Sequence, residues 1–193
     1  MDIPYSSNLN RGRFETWTHK PDMFLVHAHQ VHGTDIVSME TLPCEADGLV
    51  VSWEEFEQPL AIKTADCLPV VIEGEKGVVF LHAGWRGLAH GILERPEIAM
   101  IKPQRVLIGP CIHECCFEVS PDFGENFKGS PFFTKRGDKN YFNLPEEAKR
   151  RLRETFPQLL VEVAPYCTCC NENFNSYRRN KTTERNWNIY IKG

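Results

Sequence analysis

Apolar positions along this chain fall into short extended runs more often than into helical stripes. Gly77-Val78-Val79-Phe80-Leu81-His82 is almost continuously apolar, which predicts a central strand buried on both faces. Pro69-Val70-Val71-Ile72-Glu73 runs just before it, and Gly74-Glu75-Lys76-Gly77 reads as a four-residue hairpin loop between the two. Similar runs predict strands over residues 24–29, 34–39, 49–52, 59–64, 106–108, 159–164 and 187–191. Gly33 is free to take a positive φ, so a turn is expected between the first two. Ala46-Asp47-Gly48 reads as another turn, and Ala65-Asp66-Cys67-Leu68-Pro69 as a break in extended structure.

Helical periodicity is rarer. Trp85, Leu88, Ala89, Ile92 and Leu93 recur at three- and four-residue intervals, which predicts a helix that Pro96 ends. Ser120 is a candidate N-cap for a short helix with Pro121 in its first position. Pro145 opens the strongest helical pattern, residues 146–156, with acids early and bases late as the helix dipole favours. Residues 1–20 show no clear period. The expected organisation is a short N-terminal arm, residues 1–23, followed by one α/β domain with a mixed β-sheet, residues 24–193. There is no repeat, linker or second composition regime.

Composition narrows the classes of function. A chain of 193 residues with 41% apolar and 25% charged residues can bury a substantial core as one globular domain. A net charge of -4 gives no bulk attraction to nucleic acid or to an anionic membrane, and neither is expected as a partner. The local basic groups, Lys149-Arg150-Arg151 with Arg153 and Arg178-Arg179, read as a solvated helix face and a charged loop. No stretch approaches the ~20 apolar residues of a membrane helix, and the N-terminus lacks the apolar core of a signal peptide. A cytoplasmic location is expected. In that setting the eight cysteines are ligands or free thiols rather than disulfides. Cys111, Cys115 and Cys116 form a C-x3-C-C group, and Cys167, Cys169 and Cys170 a C-x-C-C group. Neither reads as a zinc-ribbon pair, so buried, apolar-behaving thiols are expected there in preference to a second metal site. Cys44 and Cys67 stand alone.

Three residues invite soft-metal chemistry. His32 lies in Gln30-Val31-His32-Gly33, Cys67 in the break after residue 64, and His82 at the end of the apolar run before Ala83-Gly84-Trp85-Arg86-Gly87. Each has an ordinary reading: a turn histidine, an inert buried thiol, and a hydrogen-bonded strand end. Together, two imidazoles and a thiolate match a catalytic zinc set whose fourth position stays open for water or substrate. Spacing alone does not bring His32 to the other two. Arg86 could grip a phosphate or carboxylate, or form a structural salt bridge. Asp66 could orient a ligand imidazole, act as a base, or cap the turn.

Taken in order, Gln30-Val31-His32-Gly33, Ala46-Asp47-Gly48, Thr64-Ala65-Asp66-Cys67-Leu68-Pro69, His82-Ala83-Gly84-Trp85-Arg86-Gly87, Ile108-Gly109-Pro110-Cys111-Ile112 and Asn175-Ser176-Tyr177-Arg178-Arg179 resemble the laccase-domain, or YfiH/YlmD-like, family. That family has been described both as polyphenol oxidases and as purine nucleoside phosphorylases. The resemblance spans residues 24–191. It implies an α/β/α-type fold and one zinc ion held by His32, Cys67 and His82. Asp66 and Arg86 are then expected beside the reacting atoms, with Gln30 and Arg86 touching substrate. The implied activity is phosphorolysis of adenosine, inosine, guanosine and methylthioadenosine, with phosphate as co-substrate, and adenosine deamination as a further activity. The partner is then a small-molecule purine nucleoside; oligomeric state stays open. The chain departs from the family in a short segment before His32, a compressed link over residues 87–108, and Glu184 where a glycine usually precedes the arginine matched by Arg185.

Other readings remain. The same zinc could cleave an amide in peptidoglycan precursors. It could instead be structural, closed by a fourth ligand such as Cys111, in a binding module. The zinc nucleobase-deaminase signature H-x-E…C-x-x-C is absent. Copper is not expected: His27 and His29 make a single H-x-H pair, and seven histidines are too few for a multicopper cluster.

Overall fold

The computed structural model describes residues 3–193. In chain order the strands are β1 (Tyr5–Asn8), β2 (Gly12–Trp17), β3 (Ile36–Ser38), β4 (Gly48–Ser52), β5 (Leu60–Thr64), β6 (Leu68–Gly74), β7 (Gly77–Ala83), β8 (Pro103–Ile108), β9 (Glu118–Val119), β10 (Phe133–Arg136), β11 (Lys139–Phe142), β12 (Leu160–Val163) and β13 (Asn186–Lys192). The helices are α1 (Trp85–Ala89), α2 (Pro96–Met100), α3 (Leu144–Thr155) and α4 (Tyr177–Asn180).

The central sheet has six strands in the order β12-β8-β6-β7-β4-β3. Its two outer pairs are parallel and its inner pairs antiparallel, so the sheet is mixed. The β6–β7 hairpin sits at its centre, and every residue of both strands is buried. Alternation along the strands then separates two cores. Val70, Ile72, Leu81, Val106 and Ile108 face the helices, where Leu88, Ile92, Ile98, Ala148 and Leu152 meet them. Val71, Phe80 and Leu107 point the other way, toward Phe14, Leu60, Ile62 and Tyr190. That second layer is a four-stranded antiparallel sheet in the order β1-β2-β13-β5. The fold is thus a single mixed α/β domain with helices on one face of the main sheet. The layer opposite the helices is supplied by this second sheet. A small sheet, β10-β11-β9, extends the helix side.

Several local expectations change. Residues 1–20, read as an arm, contain β1 and β2, and β2 pairs with β13 over six residues. Their weak periodicity reflects a strand whose consecutive residues Phe14, Glu15 and Thr16 are all buried. Residues 24–29 make only isolated bridges, Val26 to Leu60 and His29 to Glu45. The return strand expected after Gly33 is β3, which pairs parallel with β4 instead of folding back. The helical stripe after Trp85 breaks at Gly91, φ 87°, and Pro96 starts α2 rather than ending a helix. Leu88, Ile92 and Leu93 are nevertheless fully buried, so the stripe identified a buried face correctly while the backbone changed form beneath it.

Candidate metal centre and its pocket

Asp47 organises the site. Its carboxylate is fully buried and accepts hydrogen bonds from three successive backbone N–H groups: Val31 (3.2 Å), His32 (3.0 Å) and Gly33 (2.6 Å). A chain wrapped this tightly round an anion needs a left-handed residue, and His32 takes it, at φ 62°. The positive φ expected at Gly33 therefore falls one residue earlier. The same carboxylate meets His82 Nδ1 at 2.7 Å. Burial alone would raise the Asp47 pKa, but the His82 contact and the converging N–H groups hold it below its usual value.

With Nδ1 committed to Asp47, His82 turns Nε2 toward the remaining partners. Ligand atoms of His32, Cys67 and His82 all lie within 4.8 Å of one another, and no fourth His, Cys, Asp or Glu joins them among the described residues. The two imidazoles meet edge to face, with ring centres 4.7 Å apart. His82 is buried, Cys67 half-buried and His32 exposed, so the group opens to solvent on one side. A Cβ on Gly84 would lie 3.2 Å from both Cys67 Sγ and His32 Cδ2, so glycine there lets the backbone close over the ligands. Burial would push the Cys67 thiol up. The His82 charge and hydrogen bonds from both histidines outweigh it and bring the thiol down to about 6. His82 responds in kind: burial opposes its protonated form, yet Cys67 and Asp47 raise it to about 9. The two histidines thus favour the thiolate form of Cys67.

This donor set fits zinc. Two imidazoles and a thiolate are borderline-soft ligands in the number a catalytic zinc uses. The carboxylate behind His82 fixes its ring and its tautomer, as in carboxylate–histidine–metal triads.

The other expected residues divide. Asp66, at φ 94°, does not touch a ligand imidazole. Its carboxylate accepts from Thr168 Oγ1 and from the Arg178 N–H, each at 2.7 Å. It ties the break before Cys67 to the C-terminal wall of the pocket, and the orienting role expected of it belongs to Asp47. Gln30 lines the pocket, but both atoms of its amide pair with the Lys63 backbone, at 2.7 and 2.8 Å, as a strand neighbour would. It is a strut rather than a free substrate contact. Arg86 is exposed and stacks on Trp85, 4.6 Å from the ring centre. Among the described residues it has no ion-pair partner, so the salt bridge considered for it is not formed there. Cys111 is buried in the helix-side core, outside the trio.

The trio lines a pocket of about 590 Å³. Lys63, Arg86, Arg178, Lys181 and Arg185 line it, against the single committed carboxylate of Asp66. Lys63 is held below its usual pKa by burial first, then by the neighbouring charges of Arg185 and Lys20. Trp85, Phe117 and Tyr177 add aromatic surface. Lys63 and Lys181 carried no sequence signal, because they reach the pocket from elements far apart in the chain.

Fold and site together define a mixed α/β protein with a His2Cys ligand trio in a cationic pocket. Over residues 1–191 the chain matches the multi-copper polyphenol oxidoreductase laccase family, and it belongs to that family. Among its relatives is a purine nucleoside phosphorylase of Aquifex aeolicus, 32% identical over 178 residues, or 90% of this chain and 84% of the relative. The purine nucleoside phosphorylase YfiH of Escherichia coli is 35% identical over 172 residues, 83% of this chain and 70% of that protein. The crystal structure of Neisseria meningitidis protein NMB0706 superposes with a TM-score of 0.77 at 29% identity, covering 87% of this chain and 74% of that one. YlmD from Geobacillus stearothermophilus gives 0.72 at 28% identity, over 87% and 73%. No helix among the described residues is long and apolar enough to cross a membrane.

Proposed function

We propose that the protein is a zinc-dependent purine nucleoside phosphorylase acting on adenosine, inosine, guanosine and methylthioadenosine with phosphate as co-substrate. One observation supports this reading: a pocket of nucleoside size is lined both by the candidate ligand trio and by five cationic residues. The names of the relatives point the same way. His32, Cys67 and His82 would hold a zinc ion, which would supply Lewis acidity to the pocket.

The chain's own groups divide the remaining work. Arg86 offers an unpaired guanidinium, whose fork matches two phosphate oxygens. Lys63 and Arg185 repel one another, and an anion between them relieves that repulsion. Trp85, Phe117 and Tyr177 present aromatic surface for a purine ring. In the reaction a phosphate oxygen bonds to the anomeric carbon as the bond from that carbon to the base nitrogen breaks. The departing base takes up the proton that hydrogen phosphate gives up as it becomes the sugar phosphate ester. Asp47 keeps His82 oriented throughout, and Asp66 holds the pocket wall.

Incubation with inosine and phosphate is expected to release hypoxanthine and ribose 1-phosphate, and omission of phosphate to stop it. Adenosine supplied without phosphate tests deamination by the appearance of inosine. Turnover only of amide-containing cell-wall precursors would replace this reading with a zinc amidohydrolase.

A further inference from the structure

A second set of ligand atoms lies outside the pocket. Sγ atoms of Cys115, Cys116, Cys167 and Cys170 all fall within 4.8 Å of one another, and all four residues are free thiols. Cys170 Sγ is 3.2 Å from both Cys115 Sγ and Cys116 Sγ. We propose that these four cysteines form a second zinc site, a tetrathiolate that staples one wall of the pocket. The proposal stands independently of the phosphorylase reading.

Geometry favours a single ion. Four sulfurs each ~2.3 Å from a tetrahedral zinc lie roughly 3.8 Å apart, and the four sulfurs here are already gathered within 4.8 Å of one another, two of the pairs at 3.2 Å. All four are free thiols, so none of the sulfurs is taken up by a disulfide. Packing accounts for Cys167, which is buried in the helix-side core, but not for the exposed members. Cys115 and Cys170 are exposed and Cys116 half-buried, so they are not the buried thiols that their sequence context suggested. The chelating pattern was present but masked: within Cys167-Thr168-Cys169-Cys170, the first and last cysteines have C-x2-C spacing. Cys169 obscured it and is not part of the set.

The two segments are already docked by the protein. Cys111 and Cys167 form an isolated bridge, Thr168 N–H donates to Cys111 O at 2.9 Å, and His113 N–H donates to Cys167 Sγ at 3.4 Å. A zinc tetrathiolate carries a net charge of minus two, and two guanidinium groups stand beside it. Arg178 donates to the carbonyls of Cys116 and Glu118, and Arg179 to those of Thr168 and Cys169. Through Thr168 the staple connects to Asp66, the neighbour of Cys67, and through Phe117 to the pocket lining. Its role is therefore to hold the wall against which substrate packs.

The test separates the two sites by emptying the first. Reduced wild-type protein is expected to hold two zinc ions per chain by elemental analysis, and Cys67→Ala one. X-ray absorption at the zinc edge of Cys67→Ala is expected to show four sulfurs at ~2.3 Å. Adding Cys170→Ser should remove that last ion, whereas adding Cys169→Ser should retain it. A folded, reduced Cys67→Ala protein without metal, whose remaining thiols all titrate as free, would overturn the proposal. Nitrogen or oxygen among the ligands, or one iron in place of zinc, would overturn it equally. Should the Cys170→Ser chain not fold, the stoichiometry and ligand set of Cys67→Ala decide by themselves.

Discussion

Asp47 shows what a single side chain can do that sequence spacing does not announce. In the chain it stands before Gly48 and reads as a turn residue. In the fold it is the common acceptor for three backbone N–H groups of the His32 turn and for the imidazole of His82, which is 35 residues away. It is therefore the link that brings His32 to the other two ligands. The ligand identities were legible as a set of soft donors; their convergence was not, because it depends on this buried carboxylate. Asp66 and Gln30 show the opposite: polar residues beside a candidate ligand motif can be taken up by structural hydrogen bonds, Gln30 with the Lys63 backbone and Asp66 with the Thr168 hydroxyl and the Arg178 N–H. Asp47→Asn keeps the shape but removes the charge behind His82. Zinc loaded at the candidate His32–Cys67–His82 site is expected to be lost at 10- to 100-fold lower chelator strength than in wild type. Competition against a metal indicator, in a Cys170→Ser background that isolates this site, measures it. Unchanged affinity would mean that Asp47 serves only the turn.

Among the elements, α3 was the most legible and β10–β11 the least. The helix carries its own signals: Asn143 accepts from the Glu146 N–H, Pro145 sits in the first turn, and acids precede bases. The hairpin carried one too, Gly137-Asp138 between β10 and β11, but its short strands alternate too weakly to stand out. On α3 the informative residue is Glu147. Its side chain is fully buried and receives Arg150, Arg151 and the Ser130 hydroxyl, at 2.6 to 3.1 Å. Burial would push its carboxyl up, but these partners hold it below the ordinary value of 4.5. A carboxyl depressed in the folded state contributes stability that is complete above its unfolded pKa. That stability is lost as pH falls through the folded one. Glu147→Gln is therefore expected to cost about 3 kcal/mol at pH 7, the low end for breaking a buried pair because both arginines reach water. The deficit should shrink as pH falls below about 4.5. Urea unfolding of both proteins at pH 7 and pH 4 checks this; a deficit equal at both would remove the ionised Glu147 as its cause.

At the scale of the whole molecule, the β6–β7 hairpin could be read from the sequence because its contacts are local and its residues are uniformly apolar. The second sheet could not. β2 and β13 come from opposite ends of the chain, and their pairing leaves no local trace. That is why residues 1–23 looked like an arm. The structure puts β2 in the core: Phe14 is fully buried, stacks edge-on against Phe80 at 6.1 Å, and belongs to the layer between the two sheets. The turn before β2 is fastened as well, since Asn10 and Arg11 donate their N–H groups to the buried carboxylate of Glu73 at 2.8 and 3.0 Å. Removing residues 1–20 would strip Phe14, worth about 3–5 kcal/mol by itself, and leave Glu73 with Tyr190 as its remaining partner. It would also turn β13 into an open edge, a template for aggregation. Domains have about 5–15 kcal/mol in hand, so the sum exceeds what this one can lose. The truncated chain is expected to show no cooperative thermal transition and to aggregate, whereas Phe14→Ala should still fold with a lowered melting temperature. A truncated protein that melts cooperatively near the wild-type temperature would restore the reading of an arm. Because β5 pairs with β13 and leads directly into Asp66 and Cys67, the same truncation should also empty the metal centre, which zinc analysis of any soluble fraction would report.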